Sequence, residues 1–445
     1  MSVPTRRLAD VSIDDDVARL AGLVDGQPIT EAEAEGWIPR TCFKHGPPGR
    51  VGIELEYLIH QDVQQPAQLD VHQGDPASAR HLDRERLQKL FDDLDTRSLD
   101  SSFTVEPGGQ VELSSRPADD LPAVISALER DLAVLTETAA EHGARLVGAG
   151  IDPLPPPPRH LLRPRYTALE KYLDGWGPAG RAMMRSTASV QVNVEAGRIG
   201  RGPDDIRRRW DLLHTIGPAL VAAFATSAKH TAAEPAWGGG ANLRQGIWLT
   251  LDPARCRAPE ILPTESLPDA WTRWVLDAPL AMIRREDRPW SAPPGLSFRR
   301  WLREGRRAVP DVPAPRLEDL RYHLTTLFPP VRARGHLEVR YLDAQPGRWW
   351  RVPAAVITSV LDDDIAGEVA LAACEPLAGG WPDAARLGLA DPEICRAARL
   401  VLDAAAEALD RAGGPARELA ELTADYLDRR PVDPTDPTAA EVRPC

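Results

Sequence analysis

Four segments of this chain alternate apolar with polar residues, and this pattern constrains the fold more than any other feature. Successive side chains of a β-strand point to opposite faces, so each segment predicts a strand with one apolar and one polar face. The four segments are residues 51–60, 110–114, 188–195 and 336–342. Residues 246–251 predict a fifth strand whose two faces are less cleanly divided.

The polar faces of these strands carry carboxylates, amides and an arginine. The apolar faces can pack against helices, whereas the polar faces can line a cavity. This division is typical of an antiparallel sheet with helices on one face. The sequence therefore predicts an α+β fold with a polar cavity on the open side of the sheet.

Apolar residues recur at helical spacing in several other segments. They predict helices at residues 83–94, 121–142, 203–227 (interrupted at Gly217-Pro218), 316–327 and, in two or three pieces, 366–427. A chain of 445 residues exceeds the usual size of one hydrophobic core. We expect an N-terminal helical arm over residues 1–50, with a short amphipathic stretch at 17–23. A central domain over 51–360, which carries the polar strand faces, and a C-terminal helical region over 361–445, packed on that domain, complete the prediction.

Charge and composition exclude several classes of protein. The net charge is −13 and no window is strongly basic, which argues against nucleic acid as a partner. The chain shows no signal-peptide pattern and no apolar run of about 18 residues, so we expect a cytoplasmic protein without membrane contact. Its five cysteines are scattered without a CxxC pair, which predicts reduced structural thiols and no zinc site.

Five glutamates on or beside the strands can form one acidic surface. Glu54 and Glu56 are two apart on a strand, which places their carboxylates roughly 7 Å apart on the same side. Glu112 and Glu338 lie on the polar faces of other strands, and Glu106 precedes a Pro-Gly-Gly turn. Such a cluster repels itself unless cations are present. Because Mg²⁺ prefers oxygen ligands and leaves positions for phosphates, the set predicts a Mg·nucleotide site.

Other interpretations of these residues remain open at this stage. Any single strand glutamate can be an exposed residue on a solvated sheet face, and the Glu106 turn can be purely structural. The glycine run at 238–240 lacks the Lys-Ser/Thr of a P-loop. No nucleophile–base motif is present either, which suits phosphoryl transfer, a reaction that needs positioning and cations.

Five segments in order resemble the glutamate–cysteine ligase family, especially its plant-type branch and the actinobacterial ligases of ergothioneine biosynthesis. They are VGIELEY (51–57), FTVEPGGQVELSSRP (103–117), GRAMMRSTASVQVN (180–193), LRQGIW (243–248) and HLTTLFPPVRARGHLEVRYLDAQP (323–346). The resemblance implies a glutamine-synthetase-like curved antiparallel sheet with helices on its convex face. Its concave face would hold two or three Mg²⁺ ions, ATP and glutamate.

The resemblance also implies a reaction. ATP would phosphorylate the γ-carboxylate of glutamate, and the amine of cysteine would then attack the acyl phosphate to give γ-glutamylcysteine, ADP and phosphate. The implied metal ligands are Glu54, Glu56, Glu106, Glu112 and Glu338. The implied substrate-binding residues are Arg244, Arg340, Gln191 and Asn193, and Glu338 and Arg340 are the implied catalytic pair.

Two departures from the family pattern affect the amine site. Thr226 stands where relatives more often carry Asn, and Gln245-Gly246 follows Arg244. The main rival is therefore a ligase that joins glutamate to a different amine. A guanidino phosphotransferase and a catalytically silent nucleotide-binding subunit are more distant alternatives. The oligomeric state can be a monomer or a homodimer.

Overall fold

The computed structural model describes residues 26–62, 80–200, 202, 204–227 and 239–429. The predicted stretch at 17–23 and the tail after Pro431 lie outside the described residues. Within them, the β-strands are β1 Val51–Gln61, β2 Ser102–Val105, β3 Val111–Ser114, β4 Ala144–Val147, β5 Ser189–Val194, β6 Val331–Ala333 and β7 Leu337–Asp343.

Seventeen α-helices accompany these strands in the described part of the chain. They are α1 Glu31–Cys42, α2 Arg84–Leu94, α3 Leu121–Glu141, α4 Pro164–Leu173, α5 Ala179–Ser186, α6 Ile206–Thr215, α7 Gly217–Ala223, α8 Leu243–Thr250, α9 Pro253–Cys256, α10 Leu267–Asp277, α11 Phe298–Glu304, α12 Leu317–Leu324, α13 Arg351–Asp362, α14 Asp364–Cys374, α15 Trp381–Leu387, α16 Pro392–Ala412 and α17 Ala416–Arg429.

All strand pairings in the sheet are antiparallel, with the order β2-β3-β1-β5-β7-β6. The long strand β1 pairs with β3 over Glu54–Tyr57 and with β4 over Leu58–Gln61, so two short strands share one of its edges. The four predicted strands and the α+β class are confirmed.

The apolar sides of the strands join one large core with the helices. Ile53, Val192 and Val339 are fully buried in this core. Residues of α1 such as Trp37 and residues of α16 such as Val401 belong to the same core. The predicted division into arm, central domain and C-terminal region remains a proposal.

The predicted strand at 246–251 is wrong, because residues 246–250 lie in helix α8 and Leu251 is its C-cap. Asn242 caps that helix, its Oδ1 accepting the N–H of Gln245 at 2.8 Å. Leu243 and Ile247, four residues apart, are both buried on one side. A short apolar run is compatible with the periodicity of a strand and with that of a helix. The N-cap at Asn242, upstream of the run, favours the helix.

The predicted helices are largely confirmed. The helix predicted at 203–227 is divided into α6 and α7 at Gly217, and the predicted helix at 316–327 ends at Leu324. Cys42, Cys256 and Cys374 are free and buried as predicted, whereas the prediction of a reduced thiol is wrong for Cys395, which is disulfide-bonded. No helix among the described residues is both long enough and apolar enough to span a membrane.

Candidate active site

Strand register brings the polar side chains together on one face of the sheet. Glu56 of β1 lies opposite Glu112 of β3, and Glu54 lies opposite Gln191 of β5. Asn193 of β5 lies opposite Glu338 of β7. Because directly opposed residues point to the same face, four carboxylates and two amides from four neighbouring strands form a single surface.

The amides of β5 hold the two glutamates of β1 in place. Gln191 Nε2 donates to Glu56 Oε1 at 3.0 Å, and the backbone N–H of Ser189 donates to Glu56 Oε2 at 2.8 Å. Asn193 Nδ2 donates to Glu54 Oε1 at 3.2 Å. Each carboxylate therefore has a fixed orientation before any ligand is bound.

Glu112 and Glu106 form the β3 side of the site. Thr104 and Ser114 each donate a hydroxyl hydrogen bond to Glu112 Oε1, at 2.9 and 3.1 Å. The backbone N–H of Glu106 donates to Gln110 O, and Gly109 has φ +95° in the turn between them. The residues after Glu106 thus form the tight reversal that the glycines suggest, and this reversal places Glu106 beside the strands.

Glu338 differs from the other acids because its partners are arginines. It is 1% exposed, and Arg332 of β6 donates to both of its carboxylate oxygens, from Nη2 to Oε1 at 2.8 Å and from Nε to Oε2. Arg340 Nη1 donates to Glu338 Oε1 at 3.1 Å and to Gln191 Oε1 at 2.6 Å. Arg332 is a residue that the strand pattern did not single out.

The glutamates of the site divide into two groups by the direction in which their pKa values are shifted. Burial, together with the neighbouring carboxylates Glu112 and Glu338, raises the pKa of Glu54 to about 8. Burial, with the charges of Glu112 and Glu56, likewise raises the pKa of Glu106 to about 8, and the pKa of Glu112 is raised mainly by burial. For Glu338 the opposing effect of burial is outweighed by Arg332, Arg340 and Arg334, and its pKa is lowered.

This arrangement suits hard divalent cations. Glu54, Glu56, Glu106 and Glu112 present oxygen ligands, and the raised pKa values mean that the protein alone supplies too little positive charge to keep them all ionised. Oxygen ligands without imidazole or thiolate are the set that Mg²⁺ prefers. The type of ligand atom present therefore agrees with the predicted magnesium site, which remains a proposal.

Arg244 reaches the site from helix α8, outside the sheet. Its Nη2 donates to the backbone carbonyl of Arg340 at 2.9 Å, and its backbone N–H donates to Ser227 Oγ at 3.2 Å. The Nε and Nη1 atoms of Arg244 are buried and have no hydrogen-bond partner in the described structure. Nη1 lies 3.9 Å from Asp343 Oδ1, which is ion-pair contact but too long for a hydrogen bond.

Asp343, at the end of β7, supports this part of the site. It is fully buried and accepts hydrogen bonds from Ser227 Oγ at 2.7 Å and from the backbone N–H of Thr226 at 3.0 Å. The Thr226 hydroxyl donates to the carbonyl of Ala344 at 2.7 Å. The side chain of Thr226 is therefore engaged in the protein interior, although its sequence position suggested a role in the amine site.

Aromatic side chains lie next to the carboxylates and arginines. The Arg340 guanidinium is over the Phe328 ring at 6.0 Å, and Arg165 is over the Tyr322 ring at 5.1 Å. Arg165 also donates to Thr325 Oγ1 at 3.0 Å. No periodic pattern in the sequence connected these residues to the strand glutamates, because they come from a helix end and from the segment before β6.

Comparison with known proteins identifies the family of this chain. A sequence profile described as glutamate-cysteine ligase family 2 (GCS2) matches residues 50–435. The chain belongs to this family. Glutamate–cysteine ligase EgtA of Mycobacterium tuberculosis is 37% identical over 394 residues, which covers 86% of this chain and 84% of the relative.

Two further similarities are weaker. The chloroplastic glutamate–cysteine ligase of Solanum lycopersicum is 27% identical over 340 residues, covering 73% of this chain and 61% of that protein. A solved glutamate–cysteine ligase of Francisella tularensis in complex with AMP has a TM-score of 0.43 and 15% identity. It covers 86% of this chain and 83% of the other.

Proposed function

We propose that this member of the glutamate–cysteine ligase family joins the γ-carboxylate of L-glutamate to the amine of L-cysteine at the expense of ATP, through a γ-glutamyl phosphate. The observation that carries the proposal is the acidic surface formed by β1, β3, β5 and β7 with arginines at one end. The resemblance further implies that the product feeds ergothioneine biosynthesis, and this role is part of the proposal.

In this proposal Glu54, Glu56, Glu106, Glu112 and Glu338 hold two or three Mg²⁺ ions. Bound Mg²⁺ would neutralise the phosphate oxygens and the γ-carboxylate so that two anions can approach each other. Gln191 and Asn193 keep the carboxylates of β1 oriented, as their hydrogen bonds to Glu56 and Glu54 support. The protein then contributes positioning rather than a nucleophile of its own.

The arginines supply fixed positive charge beside the cations. Arg244 offers Nε and Nη1, neither of which has a hydrogen-bond partner among the described residues, to a substrate carboxylate or phosphate. Arg340 is held by Gln191 and Glu338, with its guanidinium at the edge of the acidic surface. Because a guanidinium binds carboxylate and phosphate oxygens in a two-pronged manner, both residues suit the anions that react here.

An assay of ADP release tests the function and the amine together. Purified full-length protein with Mg·ATP and glutamate should release ADP rapidly when cysteine is added. It should do so poorly with other single amines, and γ-glutamylcysteine should form in equal amount. With glutamate carrying ¹⁸O in its γ-carboxylate, one ¹⁸O should appear in the released phosphate. Stimulation by another amine but not by cysteine would overturn the cysteine assignment, and ADP release without glutamate would favour the phosphotransferase alternative.

Replacing Arg340 with Lys should lower turnover by roughly 10²–10³-fold while leaving the fold intact. The ammonium of lysine keeps the charge but cannot donate to Gln191, to Glu338 and to a substrate anion in the planar arrangement of a guanidinium. Steady-state turnover rates and thermal unfolding, measured for this variant and for a control variant, check the prediction. Arg386→Lys, at a side chain that is 61% exposed, is the matched control and should change neither the turnover rate nor the thermal stability. Equal rates for Arg340→Lys and wild type would exclude Arg340 from the chemistry.

A further inference from the structure

A second group of ligand-type side chains lies beyond the acidic surface, at the far end of β1. It consists of His60 on β1, His81 before α2, and Asp152 after β4. The Nε2 atoms of His60 and His81 lie 3.0 and 2.9 Å from the two carboxylate oxygens of Asp152. Four residues of extended strand separate His60 from Glu56, which is about 13 Å. The two groups are therefore distinct.

Asp152 is a buried carboxylate with no lysine or arginine in ion-pair contact among the described residues. Its side chain is 3% exposed, and its ion-pair contacts among the described residues are only the two histidines. It also accepts the backbone N–H of Leu154 at 2.9 Å. A carboxylate buried in this way is stabilised by a positive charge beside it, and a bound metal ion would supply that charge.

We propose that His60, His81 and Asp152 bind a divalent cation of the zinc type, at a site separate from the magnesium site. The three candidate ligand atoms lie within 4.8 Å of one another. Neighbouring ligands of a tetrahedral ion at about 2.0–2.1 Å are separated by about 3.3 Å, so small side-chain rotations are sufficient. Two imidazole nitrogens with one carboxylate favour zinc and similar transition metals over Mg²⁺.

The surroundings leave room for a fourth ligand. His81 and Asp152 line a cavity of about 100 Å³, which can hold water. Gly108, Gly109 and Gln110, which form the turn after Glu106, line another part of the same cavity. The bound cation would tie the end of β1 to the segment that enters α2, beside the turn that carries Glu106.

Metal analysis of the full-length protein tests this site. After removal of metals by chelation and dialysis against micromolar Zn²⁺ with millimolar Mg²⁺, wild type should retain about one Zn²⁺ per chain. The His81→Ala variant should bind Zn²⁺ more than about 100-fold more weakly. Co²⁺ in place of Zn²⁺ should give the strong visible absorption of a tetrahedral site in wild type, and His81→Ala should lack it.

Two control variants make the result specific. His142→Ala removes a similar but partly exposed contact, in which His142 Nε2 lies 3.1 Å from Asp93 Oδ2, and should keep the zinc. Glu54→Gln alters the acidic surface and should also keep the zinc, whatever its effect on ligase activity. Should His81→Ala fail to fold, His81→Gln provides the same test.

Equal Zn²⁺ content in wild type and His81→Ala would overturn the proposal, as would complete displacement of Zn²⁺ by Mg²⁺ in wild type. The first result would leave a metal-free triad, in which the two Nε2–H groups donate to Asp152, and the second would show a site that does not prefer a transition metal. Loss of zinc in Glu54→Gln but not in His81→Ala would also overturn it, by placing the ion on the acidic surface.

Discussion

Replacing Glu54 with Gln should lower ligase turnover by roughly 10³-fold or more and, at the same time, stabilise the metal-free protein. The loss of activity follows from the removal of a proposed metal ligand. The gain in stability follows from electrostatics, because burial and the charges of Glu112 and Glu338 oppose ionisation of Glu54. Glutamine keeps the shape and can still accept the hydrogen bond from Asn193. We expect the free energy of unfolding to rise by about 1–3 kcal/mol at pH 8.

The raised pKa of Glu54 also predicts how the stability difference between Glu54→Gln and wild type depends on pH. The pKa of Glu54 is about 8 in the folded protein, against an ordinary value of 4.5. The contribution of Glu54 to the stability of metal-free wild type is therefore fully present below about pH 4.5 and is lost as the pH rises through 8. The Gln variant does not titrate at this position. Its advantage should be absent at low pH and should grow between about pH 4.5 and 8.

Thermal unfolding in chelator at several pH values, with turnover measured in parallel, checks both parts. Glu195→Gln is the matched control, because Glu195 follows β5 and pairs with the exposed Arg50 at 3.2 Å. That change should alter stability by less than about 0.5 kcal/mol at any pH and leave turnover unchanged. Wild-type activity in Glu54→Gln, or lower stability at pH 8, would contradict the assignment of Glu54 to a self-repelling metal cluster.

The strands were predictable because alternation is a local property with a strong physical cause. Residues 51–60 had to bury Ile53 and Leu55, which places Glu54 and Glu56 on the opposite face whatever the neighbouring strands are. Register was not predictable in the same way. That Glu56 faces Glu112, rather than a residue two positions away, depends on pairing between segments 50 residues apart.

The missed features depend on tertiary contacts. Residues 246–251 read as a strand because the decisive cap, Asn242, lies upstream of the apolar run. Arg332 was overlooked because its role comes from the β6–β7 pairing, which sets it opposite Glu338. Asp343 continues the series Leu337, Val339 and Tyr341, where an apolar residue is expected. Its role as an acceptor appears only when Ser227 and Thr226 reach it from the segment after α7. In each case the deciding residue lies outside the periodic segment that it affects, so no periodic pattern in the sequence points to it.

Glu338→Gln should also abolish turnover, but with the opposite effect on stability. Its carboxylate neutralises Arg332, with which it forms a pair that is almost completely buried, and it also contacts Arg340. Removing one partner of a buried pair leaves an uncompensated charge, which costs about 3–5 kcal/mol. Glutamine can accept one hydrogen bond from Arg332 but cannot cancel its charge. Thermal unfolding should therefore place Glu338→Gln below wild type and Glu54→Gln above it at pH 8.

Measuring the binding of Mg²⁺ with nucleotide distinguishes two roles for Glu338. In one it is a ligand of the metal, and in the other it holds the arginines in place. Glu338 Oε1 already accepts hydrogen bonds from Arg332 and Arg340, whereas Oε2 accepts only from Arg332 and keeps one lone pair for an ion. If Glu338 is a metal ligand, Glu338→Gln should weaken Mg²⁺ binding, measured by calorimetry, about as much as Glu54→Gln does. If Mg²⁺ affinity is unchanged while stability and turnover fall, Glu338 serves to hold the arginines, and the metal site consists of Glu54, Glu56, Glu106 and Glu112.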